Sequence, residues 1–261
     1  MTGKVSVVTS FSARGWKEYG QRFCDTFTRH WPPGVALYAV SEDMGRLRLW
    51  DESPAARAFH ERHKDNPLAH GRVQRAGDYG WTPKKIAAGY NFRLDAYRFA
   101  KKVFAVQIAA HLAGGGRLFW VDADVLTFAP VPAELFARVL PDEAALACLD
   151  RGTYHSECGF VGYNLEHEAC GEFIAEFARL YASGEVFGLK EWHDSWVFDH
   201  TRKRMGIPTH AIPHCSRHHP FVNSELGRYM DHLKGSRKSM GRTPAHEMLA
   251  GFGGAYWRGA A

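Results

Sequence analysis

The alternation of apolar and polar positions divides the chain into strands and helices that follow one another. Apolar runs rich in β-branched or aromatic residues predict strands, as in "KVSVVTSF", "VALYAV" and "RLFWV". Between them, apolar residues recur every three or four positions and predict amphipathic helices, as at Trp16, Tyr19, Phe23 and Phe27. We therefore predict an α/β fold, a single domain over residues 1–261 with a mostly parallel central sheet flanked by helices.

The same patterns place the individual elements. Helices are predicted over residues 13–30, 54–65, 84–112 (interrupted near residue 89), 133–139, 166–182 and 193–205, and further strands over 144–149, 159–163 and 210–213. Residues 66–83 and the tail after Pro220 have few apolar repeats and many Gly, Lys and Arg residues, so loops are predicted there. We expect residues 214–261 to form a loop-rich segment that closes over a ligand site.

Composition limits the class of protein. With 261 residues, 45% hydrophobic and 23% charged, the chain is typical of a soluble globular protein, and no run approaches the roughly 18 apolar residues of a membrane span. The N-terminus lacks a signal-peptide pattern, and the five scattered cysteines suggest reduced thiols, so a cytoplasmic location is predicted, free or peripheral to the membrane. The net charge of +5 favours anionic partners such as nucleotides, acidic glycans, lipid headgroups or DNA.

Two carboxylates interrupt the apolar stretch "RLFWVDADVLTF". Asp122 and Asp124 follow a predicted buried strand, at the strand end where open α/β sheets bind ligands. In extended chain they project to one side, roughly 6.5–7 Å apart along the backbone, and can share one divalent cation. An isolated acidic pair is more often a turn cap with an Arg or Lys partner, but the bulky apolar flanks and the small Ala123 favour a metal site.

A second motif, His232-x-x-Gly235-x-x-Lys238, occurs near the C-terminus. Alone it is typical of a basic surface loop. Combined with the acidic pair it fits a metal–diphosphate site: the imidazole completes the shell of the cation, Gly235 lets the backbone approach a phosphate, and Lys238 supplies positive charge. Mixed carboxylate and imidazole ligands suit Mn²⁺ better than Mg²⁺.

The stretches "FWVDADV", "ECGFVGYN" and "HLKGSRK" resemble, in this order, motifs of GT-A glycosyltransferases, notably glycosyltransferase family 8. The resemblance implies a GT-A fold, a nucleotide-diphosphate sugar donor, with a UDP-sugar favoured, and Mn²⁺ or Mg²⁺ as cofactor. It implies that Asp122, Asp124 and His232 bind the metal and that Gly235 and Lys238 contact the diphosphate. The chain departs from the family pattern at Ser239-Met240, where the family has Pro-Trp, and at Glu157-Cys158.

The resemblance also implies roles for residues outside these motifs. A basic residue of "RLDAYRFAKKV" would reach the donor, either Arg98 or Lys101, although their spacing from Asp95 equally fits surface ion pairs. The base and ribose would be bordered by Thr9, Ser10, Phe11 and Ser41. As catalytic or acceptor-orienting carboxylates we select Asp194 first, for which a helix cap is the alternative, and Glu157 second.

The leading hypothesis is a metal-dependent glycosyltransferase, a hexosyl- or pentosyltransferase with a retaining outcome slightly favoured. Its hydroxyl acceptor would be a glycan or lipid-linked sugar, while the basic stretches "GSRKSMGR" and "HGRVQRAG" also permit a hydroxylated DNA base. A nucleotidyltransferase is a third hypothesis, because such an enzyme can have the same sheet and the same acidic pair. A non-catalytic basic α/β module that binds nucleic acid or a partner is the alternative from another class.

The histidine-rich "HAIPHCSRHHP" lacks paired ligand spacing and is predicted to be a solvated or substrate-bordering loop rather than a zinc site. The sequence leaves open the donor sugar and nucleotide, the acceptor, the retaining or inverting outcome, the catalytic carboxylate and the oligomeric state.

Overall fold

The computed structural model describes residues 3–44, 48–72, 89–215, 219–235, 237–248 and 255–258. The strands are β1 (Val5–Phe11), β2 (Ala36–Ser41), β3 (Arg117–Val121), β4 (Val125–Thr127), β5 (Leu146–Leu149), β6 (Glu157–Asn164), β7 (Thr209–Ala211) and β8 (Met230–His232). The α-helices are α1 (Ala13–Gly15), α2 (Gln21–His30), α3 (Leu49–Glu52), α4 (Pro54–His63), α5 (Ala96–Ala113), α6 (Glu134–Val139), α7 (Glu168–Ala182), α8 (Asp194–Met205), α9 (Arg237–Met240) and α10 (Ala255–Arg258). Single 3₁₀ turns lie at Phe92–Leu94, Glu185–Gly188, Glu225–Arg228 and Ala245–Glu247.

The centre of the fold is a six-stranded sheet in the order β2-β1-β3-β6-β5-β7. Strand β1 is parallel to β2 and β3, and β5 is parallel to β7, whereas β6 runs antiparallel to both of its neighbours. The predicted α/β class is confirmed, with three parallel pairs and two antiparallel pairs. Because β6 returns against the direction of β3, its N-terminal end lies beside the C-terminal end of β3.

Helices cover both faces of this sheet, which explains why its strands are apolar on both sides. One core cluster includes buried residues of α5, α7 and α8, and the other includes buried residues of α2 and α6. Helix α5 packs closely because several of its buried positions are alanine, including Ala100, Ala105 and Ala109. With both faces covered, a ligand can reach the sheet only at the ends of its strands.

A second, two-stranded sheet ties the C-terminal tail to the acidic segment. Strands β4 and β8 are antiparallel, with Val125 opposite His232 and Thr127 opposite Met230. Neither strand was predicted from the sequence, and β8 lies within the tail that was predicted to be rich in loops. Three-residue strands are too short to show an alternating pattern.

Most other predicted elements are confirmed with shifted ends. The predicted helix over residues 13–30 consists of α1, a π-helical turn over Trp16–Gly20, and α2. Helix α5 begins only at Ala96, because the Asp95 side chain accepts a hydrogen bond from the Arg98 backbone N–H at 3.1 Å and caps it. Residues 73–88, which include the predicted start of that helix and most of the predicted loop, lie outside the described residues. Among the described helices, none is long and apolar enough to cross a membrane.

Candidate metal and diphosphate site

The acidic pair lies at the C-terminal end of β3, at the edge of the sheet. The Asp122 backbone N–H donates to the Gly159 carbonyl of β6 at 2.9 Å, and the Trp120 indole donates to Asp122 Oδ1 at 2.6 Å. The Asp122 side chain is 29% exposed and that of Asp124 13%. Both carboxylates are therefore held in place while remaining within reach of a ligand.

The β4–β8 ladder brings His232 to these carboxylates. Its Nε2 lies 3.1 Å from Asp124 Oδ1 and 3.4 Å from Asp122 Oδ2. The Leu233 backbone N–H donates to the Asp124 carbonyl at 3.1 Å and fixes the register next to the histidine. The predicted convergence of Asp122, Asp124 and His232 is thus present in the structure.

These three residues fit a divalent cation. Their ligand atoms lie within 4.8 Å of one another. The His232 side chain is fully buried; its Nε2 faces the two aspartates and its Nδ1 faces Glu157, but none of these contacts has the geometry of a hydrogen bond. A buried imidazole costs free energy unless its nitrogens are satisfied, and an ion bound between Nε2 and the carboxylates would satisfy one of them.

The charges of the site stabilise one another without an ion. Burial would lower the pKa of His232, but Asp124, Asp122 and Glu157 outweigh it and raise that pKa to about 10. Burial would raise the pKa of the Asp122 carboxyl, but Lys102 and His232 hold it well below its usual range. The surrounding carboxylates therefore favour the protonated imidazole, whose positive charge lies where a metal cation would bind.

Glu157 lies behind the imidazole rather than beside the acidic pair. Its Oε1 is 3.6 Å from His232 Nδ1, and the residue is 6% exposed. Burial would raise its pKa, but Lys234 and the neighbouring histidines lower it to about 2. A carboxylate in this position orients a ligating histidine and increases its basicity.

Gly159 provides the space that His232 occupies. A Cβ at residue 159 would lie 2.5 Å from His232 Cε1 and 2.6 Å from Nδ1. The glycine of "ECGFVGYN" is therefore required by the packing of the histidine ring against β6, a role that the sequence analysis did not identify.

Lys102 of α5 links the acidic pair to Asp194. Its Nζ lies 2.7 Å from Asp194 Oδ2 and 3.4 Å from Asp122 Oδ1, and it donates to the Cys158 carbonyl. Both carboxylates outweigh the effect of burial and raise the pKa of Lys102. Asp194 is the first residue of α8 but is paired with a buried lysine, so it is more than a helix cap.

Lys238 also reaches the acidic pair. Its Nζ lies 3.1 Å from Asp124 Oδ2 and 4.5 Å from the centre of the Tyr19 ring, and its side chain is 35% exposed. Gly235 has a φ of +64°, and an added Cβ would meet nothing within 4 Å. Tyr19, predicted from the sequence only as one apolar position of an amphipathic helix, is a further residue of the site.

The two basic residues of α5 that were predicted to reach the donor, Arg98 and Lys101, do not contact the acidic pair. Lys101 Nζ lies 2.8 Å from Glu42 Oε2, and Glu42 also accepts from the Ser10 hydroxyl at 3.3 Å. Arg98 is exposed. Neither reaches the acidic pair, but the Lys101–Glu42 ion pair lies at the carboxyl ends of β1 and β2, where the base and ribose are expected.

The remaining predicted nucleotide-binding positions are at these same strand ends. Thr9 is fully buried, and its hydroxyl has no partner among the described residues. Phe11 packs on Trp16 at 5.2 Å between ring centres, and the Ser41 hydroxyl accepts from the Met44 backbone N–H at 2.7 Å. Their proposed contacts with a nucleotide remain predictions.

The histidine-rich segment lies partly within the site. His219 is 8% exposed, and its ring centre is 5.7 Å from that of His232. Burial and His232 lower its pKa to about 3. Of the two predicted alternatives, solvated or bordering the site, His219 therefore shows the second; His218 lies outside the described residues.

The site therefore combines two carboxylates, an imidazole and a lysine around one position at the end of a central strand.

The sequence matches no protein-family model and no curated protein. The structure is similar to a glycosyltransferase involved in the glycosylation of the major capsid of PBCV-1, with 11% identity, a TM-score of 0.47, and coverage of 90% of this chain and 96% of that chain.

Two other solved structures are also similar to this chain. The apo-form glycosyltransferase GlyE of Streptococcus pneumoniae TIGR4 has 13% identity and a TM-score of 0.44, over 79% of this chain and 44% of that one. The bifunctional WbbM apo structure has 12% identity and a TM-score of 0.42, over 82% and 39%. This chain spans less than half of these two proteins, and at such identities its function has to be inferred from the geometry of the site.

Proposed function

We propose that the protein is a metal-dependent glycosyltransferase that transfers a sugar from a nucleotide-diphosphate donor to a hydroxyl acceptor. The observation that supports this most is the convergence of Asp122, Asp124 and His232, with Lys238 adjacent. Acidic and imidazole ligands with a nearby lysine suit a cation that carries a diphosphate. UDP is the favoured nucleotide, and a glycan, a lipid-linked sugar or a hydroxylated DNA base is the acceptor.

In this proposal Asp122, Asp124 and His232 hold Mn²⁺ or Mg²⁺, which when bound supplies positive charge to the diphosphate leaving group. Glu157 keeps the His232 ring in its orientation. Lys238 is half-buried beside Asp124 and contributes a second positive charge, preorganised by its contact with Tyr19.

Asp194 is assigned the acceptor side of the site. The Lys102 ammonium, 2.7 Å away, fixes the Asp194 carboxylate relative to Asp122. A carboxylate in this position can accept a hydrogen bond from an acceptor hydroxyl or face the sugar carbon, so it serves either stereochemical outcome. Glu157 is the second candidate, but its position behind the His232 ring favours a supporting role.

The proposal is tested by thermal shift with UDP, GDP and CDP, each with and without Mn²⁺. We expect stabilisation by one nucleotide only when Mn²⁺ is present. Asp122→Asn and Asp124→Asn should abolish it, whereas Asp25→Asn, at an exposed position of α2, should not. Release of nucleoside diphosphate from the matching nucleotide sugar then measures turnover.

Two outcomes would contradict the proposal. If no nucleotide stabilises the protein with Mn²⁺, and if the acidic variants retain the partner binding of the wild type, the chain is a non-catalytic module. Release of pyrophosphate from a nucleoside triphosphate would instead indicate nucleotidyl transfer.

A further inference from the structure

A second cluster of metal-ligand side chains lies outside the site described above. It consists of His155, which precedes β6, and of Glu191 and His193, which precede α8. One ligand atom of each residue lies within 4.8 Å of the other two. None of the three belongs to the first set of ligands.

The distances in this cluster suit ligands of one ion. His193 Nε2 is 2.9 Å from Glu191 Oε2, and the rings of His155 and His193 are 4.6 Å apart between centres and nearly perpendicular. Two ligands at about 2.1 Å from one metal are separated by roughly 3.0–3.4 Å in octahedral or tetrahedral geometry. Small rotations of side chains would therefore complete a three-ligand site.

The hydrogen bond between Glu191 and His193 accounts for two of these residues but leaves the third unexplained. Among the described residues, the His155 ring nitrogens make no hydrogen bond, although the ring packs edge-on against His193. Arg93 lies 3.0 Å from Glu191 Oε1, which fixes the carboxylate with Oε2 facing the histidines. Such an outer partner is what orients a ligating carboxylate.

The backbone that carries the cluster is firmly anchored. Trp192, between two of the ligands, is fully buried. Its backbone N–H donates to the Arg93 carbonyl at 2.7 Å, and its backbone carbonyl accepts from the Tyr181 hydroxyl at 2.8 Å. On the other side of the cluster, the Ser156 N–H donates to Asp199 at 2.7 Å. The ligands are therefore preorganised rather than placed on free loops.

We propose that His155, Glu191 and His193 form a second cation site, selective for Zn²⁺ or a similar borderline transition metal. Two imidazoles and one carboxylate favour such ions over Mg²⁺ or Ca²⁺, which bind oxygen ligands. His193 and Glu191 are buried, whereas His155 is half-buried and follows Tyr154, which is 71% exposed, so an ion can enter from solvent. Three protein ligands leave one position for water or a substrate group.

The position of this site gives it a consequence for the neighbouring carboxylate. His193 immediately precedes Asp194, whose carboxylate pairs with Lys102 and through it with Asp122. An ion here would cross-link the segment before β6 to the segment before α8 and fix the start of α8. The proposal concerns binding of the metal and does not depend on glycosyl transfer.

The test is metal content after equilibrium dialysis in zinc-buffered solution, with metal-free protein as the starting material. Wild type should bind about two equivalents of Zn²⁺, and the double variant His155→Ala/His193→Ala about one. Asp122→Asn/Asp124→Asn should lose the other equivalent, so the two sites are distinguished. His111→Ala, an exposed position at the end of α5, is the matched control and should bind as wild type.

Melting curves in EDTA establish that each variant is folded, and Zn²⁺ should then raise the melting temperature of wild type more than that of the double variant. If the double variant does not melt cooperatively, Glu191→Gln, which keeps the shape of the side chain, takes its place and should lose the same equivalent. The proposal is overturned if removal of these ligands leaves the zinc content unchanged, or if the only bound equivalent disappears with the Asp122 and Asp124 substitutions.

Discussion

The substitution Gly159→Ala should disrupt the proposed metal site without altering any ligand. The added Cβ would lie 2.5 Å from His232 Cε1, whereas ordinary contacts begin at 3.4 Å, so atoms must move by 0.9 Å (3.4 − 2.5). The imidazole is fully buried and held opposite Val125 in the β4–β8 ladder, so it cannot turn into solvent. The ring must therefore shift relative to the carboxylates, or the pairing between β4 and β8 must break.

The expected magnitude follows from this overlap. Overpacking of a buried position typically costs about 1–3 kcal/mol, and each kcal/mol lowers the melting temperature of a chain of this size by about 2–4 °C. Displacement of one ligand should also weaken Mn²⁺ binding by about 10- to 100-fold, as loss of a supporting contact does elsewhere. Calorimetric titration with Mn²⁺ and thermal melting measure the two effects separately.

Gly171→Ala is the matched control for this substitution. Gly171 lies in α7, and an added Cβ there would meet nothing within 4 Å. Alanine should stabilise the helix by about 0.5–1 kcal/mol and leave Mn²⁺ binding unchanged. If Gly159→Ala binds Mn²⁺ with wild-type affinity and melts at the wild-type temperature, the His232 ring does not pack against β6 at Gly159.

Further predictions concern Lys102 and His232 of the site and Asp231 of β8. Lys102→Met leaves the buried carboxylate of Asp194 and the partly buried carboxylate of Asp122 without this cation, and it should lower the free energy of unfolding by about 3–5 kcal/mol, measured by urea denaturation of the metal-free protein. Because the pKa of His232 is raised to about 10, its contribution to metal-free stability is complete below its ordinary pKa of 6.5 and is lost as the pH rises toward 10. Mn²⁺ must displace this proton, so affinity should rise about tenfold per pH unit between pH 6 and pH 8, and His232→Gln should flatten the dependence in calorimetry. Asp231 accepts hydrogen bonds from the Thr243 backbone N–H at 2.8 Å, from the Thr243 hydroxyl at 2.6 Å and from the half-buried Tyr256 hydroxyl at 2.9 Å. Asp231→Ala removes these bonds and should increase hydrogen exchange at Thr243; unchanged exchange there would contradict this anchoring role.

The sequence predicted the parts of the fold that have long apolar patterns. Strand β3 and the acidic pair were evident because an apolar run ends abruptly in two carboxylates. His232 and Lys238 were selected by resemblance to a motif, and the structure brings both to Asp124. These residues carry chemistry that differs sharply from their surroundings.

The parts that were missed depend on contacts between distant segments. Strands β4 and β8 are too short to show a periodic pattern, although their pairing positions His232. The pattern of α5 does not distinguish among its neighbouring basic residues. Lys102 rather than Arg98 or Lys101 faces the acidic pair, because packing on the sheet sets the orientation of the helix. Gly159 is required only because a ring from β8 lies against it.

The central claim is that Asp122, Asp124 and His232 hold one cation that binds a diphosphate. A crystal structure with Mn²⁺ and UDP, recorded at a wavelength where manganese scatters anomalously, tests it most directly. We predict an anomalous peak within about 2.5 Å of a carboxylate oxygen of each aspartate and of His232 Nε2, with diphosphate density between the ion and Lys238. A manganese peak elsewhere, or a nucleotide bound away from the end of β3, would contradict the claim.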